Sequence, residues 1–219
     1  MAGAKVKGCA FSTDCVLCPR LAANLREIRR AHSDYFARPV PPFGDMKGRL
    51  MIVGLAPGMH GANRTGRPFT GDYAGILLYE TLHAYGFSNR KTATEANDGL
   101  KLRNCFITNA VKCLPPENKP TLNEIKTCNP YLAQEIAAAR TDAVILALGS
   151  IAHDAVLRAL GLKKSQYPFI HARVHELPDG RRLVDSYHCS RYNTQTKRLT
   201  PAMFRNVFDV IQHLLSGKK

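Results

Sequence analysis

The chain has 219 residues, 45% of them hydrophobic and 22% charged, with a formal net charge of +14. This is the composition of an ordinary soluble globular protein, enough for one domain over residues 1–219 with a sizeable core. No apolar run is long enough to span a bilayer, and the opening MAGAKVKGCAFSTDC lacks a signal-peptide core, so the expectation is a cytoplasmic protein with no membrane partner; a monomer is expected as well. The basic excess is spread through the chain, which favours a polyanionic partner, most simply nucleic acid.

In chain order, Cys15-Val16-Leu17-Cys18-Pro19 comes first, a C-x2-C-P turn that aims two thiols at one centre. A helix with a basic face is expected over Leu21 to His32, then a proline-rich connection over 38–49. Leu50 to Leu55 is a short apolar run that reads as a buried strand. It breaks into a loop with five glycines and two prolines that runs into an apolar helix, Ile76 to Tyr85. Strand, glycine loop and helix together present backbone N–H groups at the carboxyl edge of an open α/β sheet. Neither G-x-G-x-x-G nor G-x-x-x-x-G-K-[ST] fits the loop. It carries His60, Asn63, Arg64, Arg67, Phe69 and Asp72.

Gly86 to Gly99 is polar and reads as a surface excursion. Leu102 to Val111 reads as a second buried strand with Asn109 near its carboxyl end. Thr121 and Glu124 have the spacing of a capping box, and Pro130 to Ala139 continues the helix. Ala143 to Leu148 is continuously apolar, as in a strand of a parallel sheet. Gly149-Ser150 turns into a helix over Ile151 to Leu160. Residues 161–181 are mixed, with a hairpin turn at Pro178-Asp179-Gly180. Arg182 to Tyr187 reads as the last strand and delivers His188 to Leu199 as a second polar loop. Thr200 and Pro201 start the final helix, with an apolar face that includes Phe204, Val207 and Ile211.

Seven cysteines without an export signal favour metal binding over disulfides. Cys15 and Cys18 form one pair, Cys113 and Cys128 a second, and four thiolates can hold either a [4Fe-4S] cluster or a zinc ion. Buried free thiols are the alternative. Cys9, Cys105 and Cys189 are read as non-ligands.

Asp72, Asn109 and His188 fall on the same expected sheet edge. Each has a plain structural role open to it: a helix cap, a turn, a satisfied histidine. Together they supply a carboxylate, an amide and an imidazole, which suffice to polarise water, read a base edge and stabilise a departing anion. Phe69 could be core or a stacking surface. Arg191, Lys197 and Arg198 suit phosphate contact, with Ser190 and Asn193 beside them.

GLAPGMHGANRTGRPFTGD, FITNAVKCLPP and HCSRYNTQTKRLT, with the four cysteines, resemble the uracil-DNA glycosylase superfamily, and most of all its type-B branch, often called family 5. The resemblance runs from Cys15 to the last helix. It implies a three-layer α/β/α sandwich with a central four-stranded parallel sheet. It implies a structural [4Fe-4S] cluster on Cys15, Cys18, Cys113 and Cys128. It further implies that Asp72 positions water or stabilises the sugar cation, that Asn109 contacts the extruded base, that Phe69 stacks on it, and that His188 stabilises charge on it. Type-B enzymes accept several deaminated bases, hypoxanthine among them. This chain has Gly58 where the branch commonly has alanine, and His188-Cys189-Ser190 where it commonly has H-P-S.

The expected activity is therefore that of a monofunctional glycosylase that flips uracil out of DNA and hydrolyses its N-glycosidic bond. Gly54, Ala56, Gly58 and His60 of the loop join Phe69 and Asn109 in holding the base, and Arg64, Arg67, Ser190, Arg191, Asn193, Lys197 and Arg198 meet the DNA. No lysine is placed as a Schiff-base nucleophile, so no lyase step is expected. The competing readings are an iron–sulfur or zinc protein that binds nucleic acid without cutting it, and a redox protein.

Overall fold

The computed structural model describes residues 11–217, so Cys9 lies outside the described residues. In chain order the elements are α1 (Pro19–Ala31), β1 (Phe43–Gly44), β2 (Leu50–Gly54), α2 (Ala62–Thr65), α3 (Tyr73–Ala84), β3 (Cys105–Asn109), α4 (Leu122–Ala138), β4 (Val144–Leu148), α5 (Ser150–Ala159), β5 (Val174–Glu176), β6 (Arg182–Ser186), α6 (Arg191–Gln195) and α7 (Pro201–Ser216).

β2, β3, β4 and β6 are the four parallel strands, in spatial order β3-β2-β4-β6. The short β1 and β5 pair antiparallel along the two outer edges, making six strands in all rather than the four expected. Two or three residues are too few for a hydrophobic period to register, so these edges leave no trace in the sequence pattern.

Helices cover both faces, and this is why β2 and β4 at the centre of the sheet carry no polar side chain, whereas β3 and β6 end in polar residues at the carboxyl edge. Along β2, Leu50 and Ile52 pack with Leu78 and Tyr79 of α3 and with Phe204, Val207 and Phe208 of α7. Met51 and Val53 alternate to the other face, against Leu132 and Ile136 of α4 and Ala152 and Val156 of α5. Each fully buried side chain of this size contributes roughly 1.5–3 kcal/mol. A third cluster joins Leu21, Leu25 and Ile28 of α1 to Val111, Cys113 and Leu114 just past β3. Among the described residues no helix is long and apolar enough to cross a membrane.

Capping explains where the helices begin. Asp72 caps α3, Thr121 and Glu124 form a complete capping box on α4, and Thr200 caps α7 ahead of Pro201. The stretch after β6, expected as loop, contains α6, capped by the Ser190 side chain. The chain leaves β2 for β3 on one side, and leaves β4 for β6 on the other. The crevice where these connections diverge, at the carboxyl ends of β2 and β4, is where ligands bind in open α/β sheets.

Candidate active site and metal centre

One crevice opens at this edge. Its walls include Ala56, Gly58, Phe69, Asp72, Asn109 and His188, with Asn118, Ser190 and Arg191 around it. Strand register explains the grouping. Gly54 lies beside Asn109 across β2 and β3. A β-carbon at Gly54 would collide with the Asn109 amide oxygen and with the Phe69 ring, so only glycine lets all three meet. Gly54 therefore makes room for the site rather than lining it.

Asn109 is 3% exposed, and its side-chain oxygen is buried with no hydrogen-bond partner. An unpaired buried acceptor costs about 1–3 kcal/mol unless something pairs with it. Phe69 is buried with φ +53°, a left-handed conformation that costs a non-glycine residue about 1–3 kcal/mol. Its ring stacks on His188 with centroids 5.9 Å apart. Burial pushes the half-buried His188 down to about 4, so its imidazole is neutral at pH 7.

Asp72 caps α3, with Oδ1 accepting the Gly75 N–H at 2.9 Å. Burial raises its pKa, and the N–H groups of Gly75 and Ala74 offset part of the rise. A β-carbon at Gly61 would strike this carboxyl group, whereas one at Gly58 would sit in ordinary contact, 3.5 Å from Oδ2. An alanine would therefore fit where this chain has Gly58.

Several expected contacts are elsewhere. His60 is exposed outside the crevice, with Nδ1 2.7 Å from the Tyr35 hydroxyl. Arg64 is tied down by Glu95 at 2.7 Å and by the backbone oxygens of His60 and Thr94. Arg67 is 4% exposed and holds Asp98 through two bonds, at 2.9 and 2.7 Å. Arg67 is thus committed to an interior carboxylate and not placed to meet a phosphate, which corrects the sequence expectation for that residue, whereas Arg64 is partly exposed and pairs with a surface carboxylate. Arg191 is exposed on the crevice over the Tyr73 ring, at 5.8 Å. Arg198 lies 4.8 Å over Tyr187 and, with Asn193, lines an adjoining crevice that shares Leu55 and His188. Lys197 is exposed beyond both.

Cys189, in place of the usual proline, is fully buried in the core. Asn193 donates its side-chain N–H to the His188 backbone oxygen at 2.8 Å and ties the loop to α6. Sequence reasoning missed Tyr73 and Asn118. The second follows Glu117, and both have φ near +55° between two prolines, a conformational signal that no residue pattern carries.

Cys15 and Cys18 precede α1, Cys113 follows β3, and Cys128 sits in α4. All four line a single small pocket. Cys128 Sγ accepts the Lys112 N–H at 3.3 Å, and Tyr131 donates its hydroxyl to Cys15 Sγ at 3.4 Å. Burial pushes the Cys128 thiol up to about 11 and also raises Cys113 and Cys18, with neighbouring thiols adding to it. Such a set gives up its protons readily only around a cation. Cys105 lies in β3, its thiol 3.6 Å from the Phe87 oxygen, away from this pocket.

The family model described as the uracil DNA glycosylase superfamily matches residues 41–212. A relative from Thermus thermophilus, named Type-5 uracil-DNA glycosylase, is 48% identical over 89% of this chain and 91% of its own length. Proteins of the same name from Pyrobaculum aerophilum and Mycobacterium leprae are 44% and 45% identical, over 85% and 89% of this chain and 83% and 88% of theirs.

Proposed function

The chain belongs to the uracil DNA glycosylase superfamily, and from that premise we propose how its crevice carries out the reaction. The protein is a DNA repair glycosylase that removes uracil, a hydrolase of N-glycosidic bonds acting on DNA. The target nucleotide leaves the duplex at a cost of roughly a few kcal/mol, least where it is mispaired. Its base enters beside Asn109, whose amide meets the adjacent carbonyl and N–H of the uracil edge. The observation that carries this assignment is the buried, partnerless oxygen of Asn109 among Phe69, Asp72 and His188. Hypoxanthine has the same carbonyl and N–H edge, so the base range extends to it.

Phe69 covers the base. As the N-glycosidic bond breaks, electrons pass to the base and positive charge builds on the sugar. The Asp72 carboxylate faces that cation and orients the water that adds to it. Neutral His188 donates an N–H to the anion growing on the base. The products are free base and an abasic site. The protein acts as a monomer in the cytoplasm, with Arg191, Arg198 and Lys197 on the phosphates.

The four cysteines suit a structural [4Fe-4S] cluster. The convergence of the four thiols on one pocket and the N–H and O–H donors to two of the sulfurs support that reading. When bound, the cluster crosslinks the α1 arm to α4 and takes no part in bond cleavage. Cys113→Ser is expected to lose the broad visible absorbance of an iron–sulfur protein, and a colourless wild type containing zinc would refute the cluster.

The deciding experiment is strand scission. A labelled duplex with one uracil opposite guanine, treated with protein and then hot alkali, is expected to break at the uracil only after alkali. Breakage before alkali, with a borohydride-trapped adduct, would replace the monofunctional mechanism with a lyase.

A further inference from the structure

The excursion after α3 is fastened to the glycine loop on both sides of Phe69. Arg67 grips the Asp98 carboxylate and also donates to the Ala96 backbone oxygen at 3.1 Å, with its guanidinium 5.0 Å over the Phe43 ring. Asp98 in turn accepts the N–H groups of Thr94 and Leu100, at 2.9 and 3.0 Å. Burial alone would raise the Asp98 pKa, but Arg67 and these N–H groups outweigh it and hold the carboxyl well below the usual range. The Gly71 N–H reaches the Ala93 oxygen at 2.9 Å, and Arg64 adds its bonds to Thr94 and Glu95.

These contacts converge on one residue. Arg67 Nε donates to Thr70 Oγ1 at 2.8 Å, and Thr70 donates to the Pro68 oxygen at 3.2 Å. Tyr79 donates to that same oxygen at 2.9 Å. Residues 67, 68 and 70 are thus each pinned, while Phe69 between them stays in its left-handed conformation. A strained conformation persists only where its surroundings over-determine it.

We propose that the 93–98 turn is a brace that fixes the Phe69 ring for stacking on the extruded base, with Arg67 and Asp98 as positioning residues. This rests on the glycosylase reading above. The brace acts on binding of the base, which is shared by ground state and transition state, so loosening it raises KM and leaves kcat nearly unchanged.

The test is a double-mutant cycle in the full-length protein on the uracil-containing duplex. Asp98→Asn and Thr70→Val are each made alone and together with Phe69→Leu. Each single brace variant is expected to raise KM about five- to tenfold, the scale of one base stack, with kcat within about threefold. In the Phe69→Leu background each is expected to add nothing further, because the ring they position is gone. Additive effects on KM, or a loss confined to kcat, would overturn the brace. If Asp98→Asn fails to fold, the near-isosteric Thr70→Val cycle decides by the same criterion. A wild type that leaves uracil in place would sink the glycosylase reading and this one together, whereas an active wild type with additive effects sinks the brace alone.

Discussion

Asp72 does two jobs that conflict. It caps α3, a role asparagine fills equally well, and it keeps a charge in a partly dehydrated crevice. Its pKa is raised in the fold, so the folded state favours the protonated carboxyl. Any stability from that preference is present below the unfolded value near 3.9 and is lost as pH rises through the folded value. At neutral pH the charge therefore costs stability. Asp72→Asn is expected to raise the melting temperature while lowering single-turnover cleavage by about 100-fold or more; a melt that drops would mean the cap depends on the charge. In the wild type, cleavage is expected to fall as pH decreases through the raised Asp72 pKa, at higher pH than an ordinary aspartate would give. Residue type alone could not separate Arg67 from Arg191. Both are arginines in polar loops, and only the position of Asp98 in space commits one of them to the interior.

Among the elements, the capping box of α4 and the Thr200-Pro201 start of α7 were legible because caps are local and chemically distinctive. The five residues of α6 were not, since one turn has no periodicity to read. α5 is locked to β6 by charge. His153 Nδ1 faces Asp185 at 2.7 Å and its Nε2 faces the Tyr167 oxygen at 2.8 Å. A carboxylate that also faces His175 Nε2 at 2.9 Å and a carbonyl are both acceptors, so the site favours the form of the His153 ring that donates from both nitrogens. Burial works against this, but the carboxylate and the carbonyl outweigh it and the net shift is upward. The stabilisation is complete below the unfolded pKa near 6.5 and is lost as pH rises through the folded value. The gap in urea midpoint between wild type and His153→Gln is therefore expected to shrink with rising alkalinity. A gap constant from pH 6 to 9 would show that the ring is neutral.

For the whole molecule, a net charge of +14 pointed to DNA without saying where. The exposed Arg191, Arg198 and Lys197 surround the crevices, whereas Arg64 and Arg67 hold the glycine loop to residues 93–98. Replacing any of the first three by alanine is expected to flatten the log–log salt dependence of DNA binding by about one unit. Arg64→Ala is expected to leave it unchanged, and a flattened slope there would return that residue to the DNA face. The sequence by itself determined the parallel strands, the helix caps, the four cysteines and the trio of Asp72, Asn109 and His188, along with the family. Each is written in local pattern or in motif: unbroken apolar runs, cap spacing, C-x2-C-P, T-G-D. The tertiary structure alone decided the edge strands, the burial of Arg67 against Asp98, the pairing of Arg64 with Glu95, the displacement of His60 to Tyr35, and the contacts around Phe69. These depend on which distant groups meet, and a buried arginine and its carboxylate 31 positions away carry no mark in the sequence of having found each other.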